Sequence, residues 1–338
     1  MYTTDVLIIG GGPAGSTCGW HLRKNGVDCL ILDKQHFPRT KLCAGWITPL
    51  VMNDLQFSVD EYPHSILTFP FLKVEVKGFK FKYRSQQYSI RRYEFDYWLL
   101  KRSGVTVINH EARSIVKEEE QFEVDGKFRA RYLIGAGGTN CIVYRTFFSK
   151  INPRVKDFLI IALETEFPYH YTDTDCYLWF LQNDLPGYSW YVPKGGGYIN
   201  IGIGAYQEKL KQKNNSIKNH WQNFKNMLQK LSLISACEFT PRGYSYYIRG
   251  NVANVQQDNA FIIGDAAGLA TRDMGEGIGP AVKSGLLAAE AILHNKPLSL
   301  KSISSYSINH PVMLTVIEYG ANIYDGLKSI RKRFGSRE

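Results

Sequence analysis

Asp5-Val6-Leu7-Ile8-Ile9-Gly10-Gly11-Gly12-Pro13-Ala14-Gly15 decides the fold of this chain. An apolar strand runs straight into G-x-G-x-x-G, and a helix-compatible segment follows. Leu30-Ile31-Leu32-Asp33 then ends a second apolar run in a carboxylate about 20 residues on, as a dinucleotide-binding βαβ unit requires. Gly10 permits the tight turn out of the strand, Gly12 leaves a pyrophosphate room at the backbone, and Gly15 lets helix and strand pack closely. The helix start, with Pro13 and Ala14 in its first turn, offers the free N–H groups of the residues after the proline and a partial positive charge to phosphates. Asp33, with Lys34 beside it, is placed to accept a hydrogen bond from an adenosine ribose hydroxyl.

A second unit of this kind lies far down the chain. Ala260-Phe261-Ile262-Ile263-Gly264-Asp265 reads as a buried strand ending in an acid, and Gly275-Glu276-Gly277-Ile278-Gly279 opens a long helix over 277–294. Asp265 suits a sugar-alcohol chain such as a flavin ribityl. The helix N–H groups suit the flavin N1/O2 edge, where reduced flavin carries negative charge.

Between these ends the pattern changes. Residues 72–90 alternate polar and apolar, as antiparallel strands with one wet face do. Residues 92–103 read as helix, 105–109 and 122–124 as strand, and 131–138 as a strand running into glycines. Residues 155–205 are strand-rich and aromatic, and 207–232 favour helix. The fold class expected is α/β. A Rossmann-like FAD-binding domain is built from 1–70, 92–150 and 250–295, and a central antiparallel-sheet substrate domain from 71–91 and 151–249. Residues 296–338 are expected to be C-terminal and helical, with a basic tail.

Composition sets outer bounds. With 338 residues and 44% hydrophobic content, the chain can bury one large core or two joined ones. No apolar run is long enough for a bilayer span, and the first residues form a core strand rather than a signal peptide, so a cytoplasmic protein is expected. None of the six cysteines forms a C-x-x-C pair, which favours reduced thiols over a zinc site or disulfide framework. The net charge of +10 fits an anionic substrate or membrane surface, and the chain carries no nucleic-acid module. Lys328, Arg331, Lys332, Arg333 and Arg337 follow the apolar stretch Val312–Tyr319. That arrangement suits either a core-packed helix with a solvated tail or a peripheral contact at the inner membrane face.

Four motifs together resemble the para-hydroxybenzoate hydroxylase-like FAD superfamily and, within it, the geranylgeranyl reductase family. Arg39-Thr40-Lys41-Leu42-Cys43-Ala44-Gly45 resembles the R-x-K-x-C-x-G loop, and Arg92-Tyr93-Glu94-Phe95-Asp96 with Leu99 resembles R-x-x-F-D-x-x-L. Tyr188-Ser189-Trp190-Tyr191-Val192-Pro193-Lys194-Gly195 resembles Y-x-W-x-F-P-K-G, and Gly264-Asp265-Ala266-Ala267-Gly268 with Gly275-Glu276-Gly277 completes the set.

The resemblance implies FAD as cofactor, with Arg39 and Arg92 near its phosphates or adenosine. It puts Cys43, Ala44 and Gly45 near the ring, with Cys43 a candidate for a direct chemical role. Ala112, Gly137, Gly264, Gly275 and Ile278 are carried over as further cofactor-lining positions. Tyr188, Trp190, Tyr191 and Pro193 are expected at the substrate, because an aromatic wall suits a prenyl chain. The middle motif departs from G-A-D-G-x-x-S: Gly137 replaces the acid and Cys141 the serine. That departure weakens the hydroxylase reading and leaves the reductant open between NAD(P)H and an electron-donor protein. Reduction of carbon–carbon double bonds in an isoprenoid or other lipid is the leading expectation. A flavin monooxygenase acting on a small hydrophobic or aromatic substrate, and a non-catalytic membrane-associated electron carrier, are the alternatives.

Overall fold

The computed structural model describes residues 1–235 and 239–307. In chain order it begins β1 (Tyr2–Ile9), α1 (Pro13–Lys24), β2 (Cys29–Asp33), β3 (Trp46–Ile47), α2 (Pro49–Leu55), β4 (Leu67–Val76) and β5 (Phe79–Ser89). Next come α3 (Arg92–Arg102), β6 (Thr106–Asn109), β7 (Ile115–Glu118), β8 (Gln121–Val124), β9 (Phe128–Gly135), β10 (Leu159–Pro168) and β11 (Cys176–Phe180). The remainder is β12 (Gly187–Lys194), β13 (Tyr198–Tyr206), α4 (Gln207–Gln212), α5 (Ile217–Lys230), β14 (Arg242–Tyr247), β15 (Gln256–Gln257), β16 (Ala260–Ile262) and α6 (Ile278–Leu293).

The first sheet has the order β15-β16-β9-β1-β2-β6 and is parallel from β16 to β6. All five residues of β2 are buried, as are the last four of β1, because α1 and α6 cover one face and apolar chain covers the other. β1 sits where strand order reverses, which opens a crevice at its C-terminal end. α1 starts with Pro13 in its first turn, where a missing N–H costs nothing, and ends in His21, Arg23 and Lys24, which complement its dipole. Two expectations shift here. The strand from Ala260 stops at Ile262, and Gly264 turns the chain at φ +58°, so Asp265 sits in a 3-10 turn beyond the strand tip. The helix expected over 207–232 is two helices, interrupted at Asn214 (φ +49°), and Ser216 caps the second by accepting from the Asn219 N–H at 3.3 Å.

The second sheet has the order β14-β10-β13-β12-β11-β4-β5-β3, antiparallel except between β4 and β11. Its two faces differ. Tyr191, Ile199, Ile201 and Ile203 point to one side and are sealed by Trp221, Phe224 and Leu228 of α5. Trp190, Val192 and Leu178 point to the other, with Met274 and Trp46 packed on them. This second face meets the first sheet's crevice. β3 joins this sheet although its residues lie within the segment expected to serve the cofactor. Residues 297–307 form no helix, and Arg249 ties them down through the carbonyls of Leu300 and Ile303. The apolar stretch Val312–Tyr319 and the basic cluster lie outside the described residues. Among the described residues no helix is long and apolar enough to cross a membrane.

Candidate functional site

A cavity of about 630 Å³ runs from the C-terminal ends of β1 and β2 to the start of α6. Its first half is built mainly by local backbone. Gly10 turns at φ +113°, and a Cβ there would run into the Ala136 carbonyl. A Cβ on Gly15 would strike the Gly10 carbonyl, so helix and strand touch there. A Cβ on Gly12 would meet only the Arg39 guanidinium, 3.5 Å away, so Gly12 leaves open space in front of a cation at a helix start. Asp33 lies beside it, one oxygen accepting from the Gly11 N–H (2.7 Å) and the other from the Gln35 N–H (2.8 Å). It thus fixes the glycine loop, and each oxygen keeps a lone pair for a ribose hydroxyl. Pro13, Ala14, Lys34, Ala112 and Gly137 also line this half.

Both expected arginines reach the cavity, with unequal freedom. Arg92 spends its fork on Asp96, through Nε (2.6 Å) and Nη2 (2.8 Å), and that carboxylate is fully buried. Arg39 stands 3.5 Å from the same carboxylate and stacks on Phe37. Asp96 therefore holds two guanidiniums, and Arg39 is the one that faces Gly12.

The other half is built by side chains from distant strands. Tyr244 and Tyr246 of β14, Cys43 of the loop, Asp265, Gly275, Gly277 and Ile278 line it. Gly264 lies just behind, its N–H donated to Ser284. Three buried polar residues of the second sheet grip the Cys43 loop by its backbone. Glu164 (β10) accepts from the Cys43 N–H at 2.5 Å, and Asn200 (β13) donates to the Cys43 carbonyl at 3.3 Å. Lys194 (β12) donates to the Ala44 carbonyl and, at 3.0 Å, to that of Ile90. Gly45 (φ +66°) lies against Lys194 and the Ile90 carbonyl, leaving no room for a side chain. Burial pushes the Glu164 carboxyl up to about 7, against the pull of Asn200, Tyr244, the Cys43 N–H and Lys194. Burial likewise brings the Lys194 ammonium down to about 8.

This grip was not legible in the sequence. A lone Glu or Asn in an alternating strand reads as a solvent-facing residue, and only the docking of the first sheet buries that face. Lys194 was visible as part of the Y-x-W motif. The α6 start also differs from expectation. Glu276 accepts the N–H groups of Ile278 and Gly279, the latter at 2.6 Å, because unpaired helix-start donors attract the nearest carboxylate. Burial pushes that carboxyl up to about 7.

Of the expected substrate residues, the structure brings Tyr188 and Trp190 together and sets Tyr191 and Pro193 apart. Strand alternation puts Tyr191 on the α5 side of the sheet. Pro193 pairs with Ile199, a residue of that same side, and its carbonyl accepts from Ser89 Oγ. Trp190 is buried and lies flat across its cross-strand partner Gly202, where a Cβ would collide with the indole. Its Nε1 donates to Asn200 at 2.7 Å. Tyr188 stacks near Trp190 and Phe180 and donates to the Met274 carbonyl. None of these four lines the cavity itself; Tyr188 and Trp190 belong to the apolar layer that Ala44, Trp46 and Met274 share.

A glycine-lined helix start facing a cation, a carboxylate at the second strand end, and a cavity long enough to join both sheets fit a dinucleotide carrying a ring system. Fold and site define a flavoprotein with a Rossmann-type FAD-binding half. Residues 8–68 match the NAD(P)-binding Rossmann-like domain family. An uncharacterised protein of Methanosarcina barkeri is 33% identical over 314 residues, 86% of this chain and 75% of that protein. Digeranylgeranylglycerophospholipid reductase 1 of Methanopyrus kandleri is 27% identical over 85% of this chain and 79% of its own. Among solved structures, a geranylgeranyl bacteriochlorophyll reductase-like protein from Thermoplasma acidophilum superposes with a TM-score of 0.72 at 22% identity, covering 98% of this chain and 84% of that one. A probable FAD-dependent monooxygenase of Pseudomonas aeruginosa shares the fold at 0.69 and 15% identity, covering 98% of each chain. The chain belongs to the geranylgeranyl reductase family of FAD-dependent oxidoreductases.

Proposed function

We propose that this protein reduces carbon–carbon double bonds of an isoprenoid or other lipid. The observation that carries the reading is the composition of the cavity's second half. Tyr244, Tyr246 and Cys43 line it, and the apolar layer of Tyr188, Trp190, Trp46 and Met274 packs nearby. A prenyl chain offers only apolar surface, and the stacked rings of Tyr244 and Tyr246, backed by that layer, match it. The lipid reductase among the relatives supports the same reading, whereas the fold, shared with a monooxygenase, does not choose between them.

In this reading Gly12, the α1 start and Arg39 hold the cofactor's pyrophosphate, and Asp33 holds its adenosine ribose. Asp265 and the Gly275–Ile278 turn hold the ring end. When bound, FAD in its reduced state supplies a hydride to one alkene carbon. The protein's task is to exclude water, orient the alkene and deliver a proton to the other carbon. The gripped Cys43 loop gives that end of the cavity a rigid floor. The electrons come from NAD(P)H or a donor protein.

The test is an anaerobic one. Chemically reduced protein is mixed with a geranylgeranyl lipid, and separately with air-saturated buffer carrying a small aromatic. Return of the oxidised flavin spectrum with a saturated lipid product supports the reading. Inertness to lipid with hydroxylation in the air arm replaces it with a monooxygenase, and inertness in both arms with fast electron exchange replaces it with an electron carrier.

A further inference from the structure

Alkene reduction consumes a proton as well as a hydride, and the geometry around Glu164 shows where that proton can be held. Glu164 is 1% exposed. Its Oε1 is occupied by two donors, the Cys43 N–H at 2.5 Å and Asn200 Nδ2 at 3.3 Å. Its Oε2 has a different partner, the hydroxyl of Tyr244 at 3.1 Å. Tyr244 lines the cavity, with its ring stacked on Tyr246 and the Lys41 ammonium 5.6 Å from its centroid.

A carboxyl that carries a proton places it on the oxygen that accepts no N–H, which is Oε2, since a hydroxyl such as that of Tyr244 can turn from donating to accepting. There it points at Tyr244 Oη. A phenol has one hydrogen, so when Glu164 donates to Tyr244 the Tyr244 hydrogen is free to turn away from it. When Glu164 is ionised, the same hydrogen is held on the carboxylate instead.

We propose that Tyr244 is the proton donor of this site and that Glu164 is the relay behind it, its protonation deciding whether the Tyr244 hydrogen is offered to the cavity or held back. This rests on the alkene-reduction reading. The balance is complete: with a hydride from the two-electron-reduced flavin going to one carbon, Tyr244 Oη–H would supply a proton to the other as the π bond breaks. The phenolate then takes the Glu164 proton, and Glu164 is reprotonated from solvent.

The groups facing the pair come from several elements. They are Cys43 and Lys41 on the loop, Lys194 and Tyr188 on β12, and Tyr246 on β14. Burial holds the Tyr244 phenol far above its ordinary range, so it stays neutral and keeps its proton. The Glu164 carboxyl, raised by burial to about 7, changes state near neutrality. The sign follows: as pH rises through that value the carboxylate forms, the Tyr244 hydrogen is captured, and delivery stops.

The experiment uses the full-length, FAD-loaded protein. Single-turnover lipid reduction in the wild type is expected to fall about tenfold per pH unit above neutrality. Tyr244→Phe is expected to slow the step by about 10²–10⁴ while keeping its flavin. Glu164→Gln, whose amide cannot reload the Tyr244 phenolate, is expected to slow the step and to lose its fall in rate above neutrality. Independently of turnover, pH-difference infrared spectra should show a carboxyl and a tyrosine C–O band moving together. Both variants should lose that coupling, and Glu276→Gln should not. Wild-type rates in Tyr244→Phe, an unchanged pH profile in Glu164→Gln, or a carboxyl band, identified by its loss in Glu164→Gln, that titrates without the tyrosine band would each overturn the proposal. If the wild type reduces no alkene at all, the function proposed above fails, and the infrared coupling then decides the pair by itself.

Discussion

The two halves of the cavity are made in opposite ways. At the phosphate end, the turn, the helix start and Asp33 come from one continuous stretch of β1, α1 and β2, and backbone groups provide most of the recognition. At the reactive end, Cys43, Glu164, Lys194, Asn200, Tyr244 and Asp265 converge from six separate segments, and side chains provide it. The first kind of site fails when one atom is added in front of it. The second fails when one member of a buried network is removed.

The largest effect should come at the phosphate end. Gly12→Val places methyl groups where the structure is open, so the fold is expected to survive while flavin content falls by at least about tenfold, a loss of about 1.4 kcal/mol or more. Flavin absorbance per protein, read beside a thermal melt, checks both halves of that statement. Asp96→Ala sharpens the comparison, because it removes a buried carboxylate shared by two guanidiniums of this same half. It is expected to cost about 3–5 kcal/mol in denaturant unfolding.

At the reactive end, Gly202→Ala pushes a methyl group into the Trp190 indole. A loss of about 1–3 kcal/mol is expected, with a changed tryptophan near-UV signal as the signature. The buried ionisable groups give the next effect. Glu164 binds a proton more tightly folded than unfolded, so folding stability is present below its unfolded value of 4.5 and is lost as pH rises through about 7. Lys194 binds one more weakly when folded, so its contribution is present above 10.5 and is lost as pH falls through about 8. Melting curves of the wild type and Glu164→Gln across pH 4–8 should converge at the acid end and separate toward neutrality, the variant being the more stable. The smallest effect is expected away from both halves: Lys117→Ala breaks an exposed pair with Asp258 and should cost less than about 1 kcal/mol.

The same contrast explains what the amino-acid sequence disclosed. G-x-G-x-x-G and Asp33 are neighbours in the chain, so their geometry is local and a motif carries it. Tyr188 and Trp190 were also visible as a motif. The same motif places Tyr191 beside them, but strand alternation turns it to the opposite face. Glu164 and Asn200 left no trace, because a polar residue on one face of an alternating strand is the ordinary mark of a wet face. Nothing in β10 or β13 says that another sheet will cover it. The two-helix division at Asn214 and the turn at Gly264 likewise depend on backbone conformation that composition does not announce.

The interleaving of the two sheets has a consequence for how the protein is made. β1, β2, β6 and β9 emerge early from the ribosome, but their edge partner β16 and the covering helix α6 come only after the whole second sheet has been synthesised. One flank of the nascent first sheet therefore stays unpaired and apolar while more than a hundred residues are added between β9 and β16. Molecules stalled or truncated in that interval should be the aggregation-prone species of this chain. A flavin present during synthesis would find its phosphate end ready well before its reactive end exists.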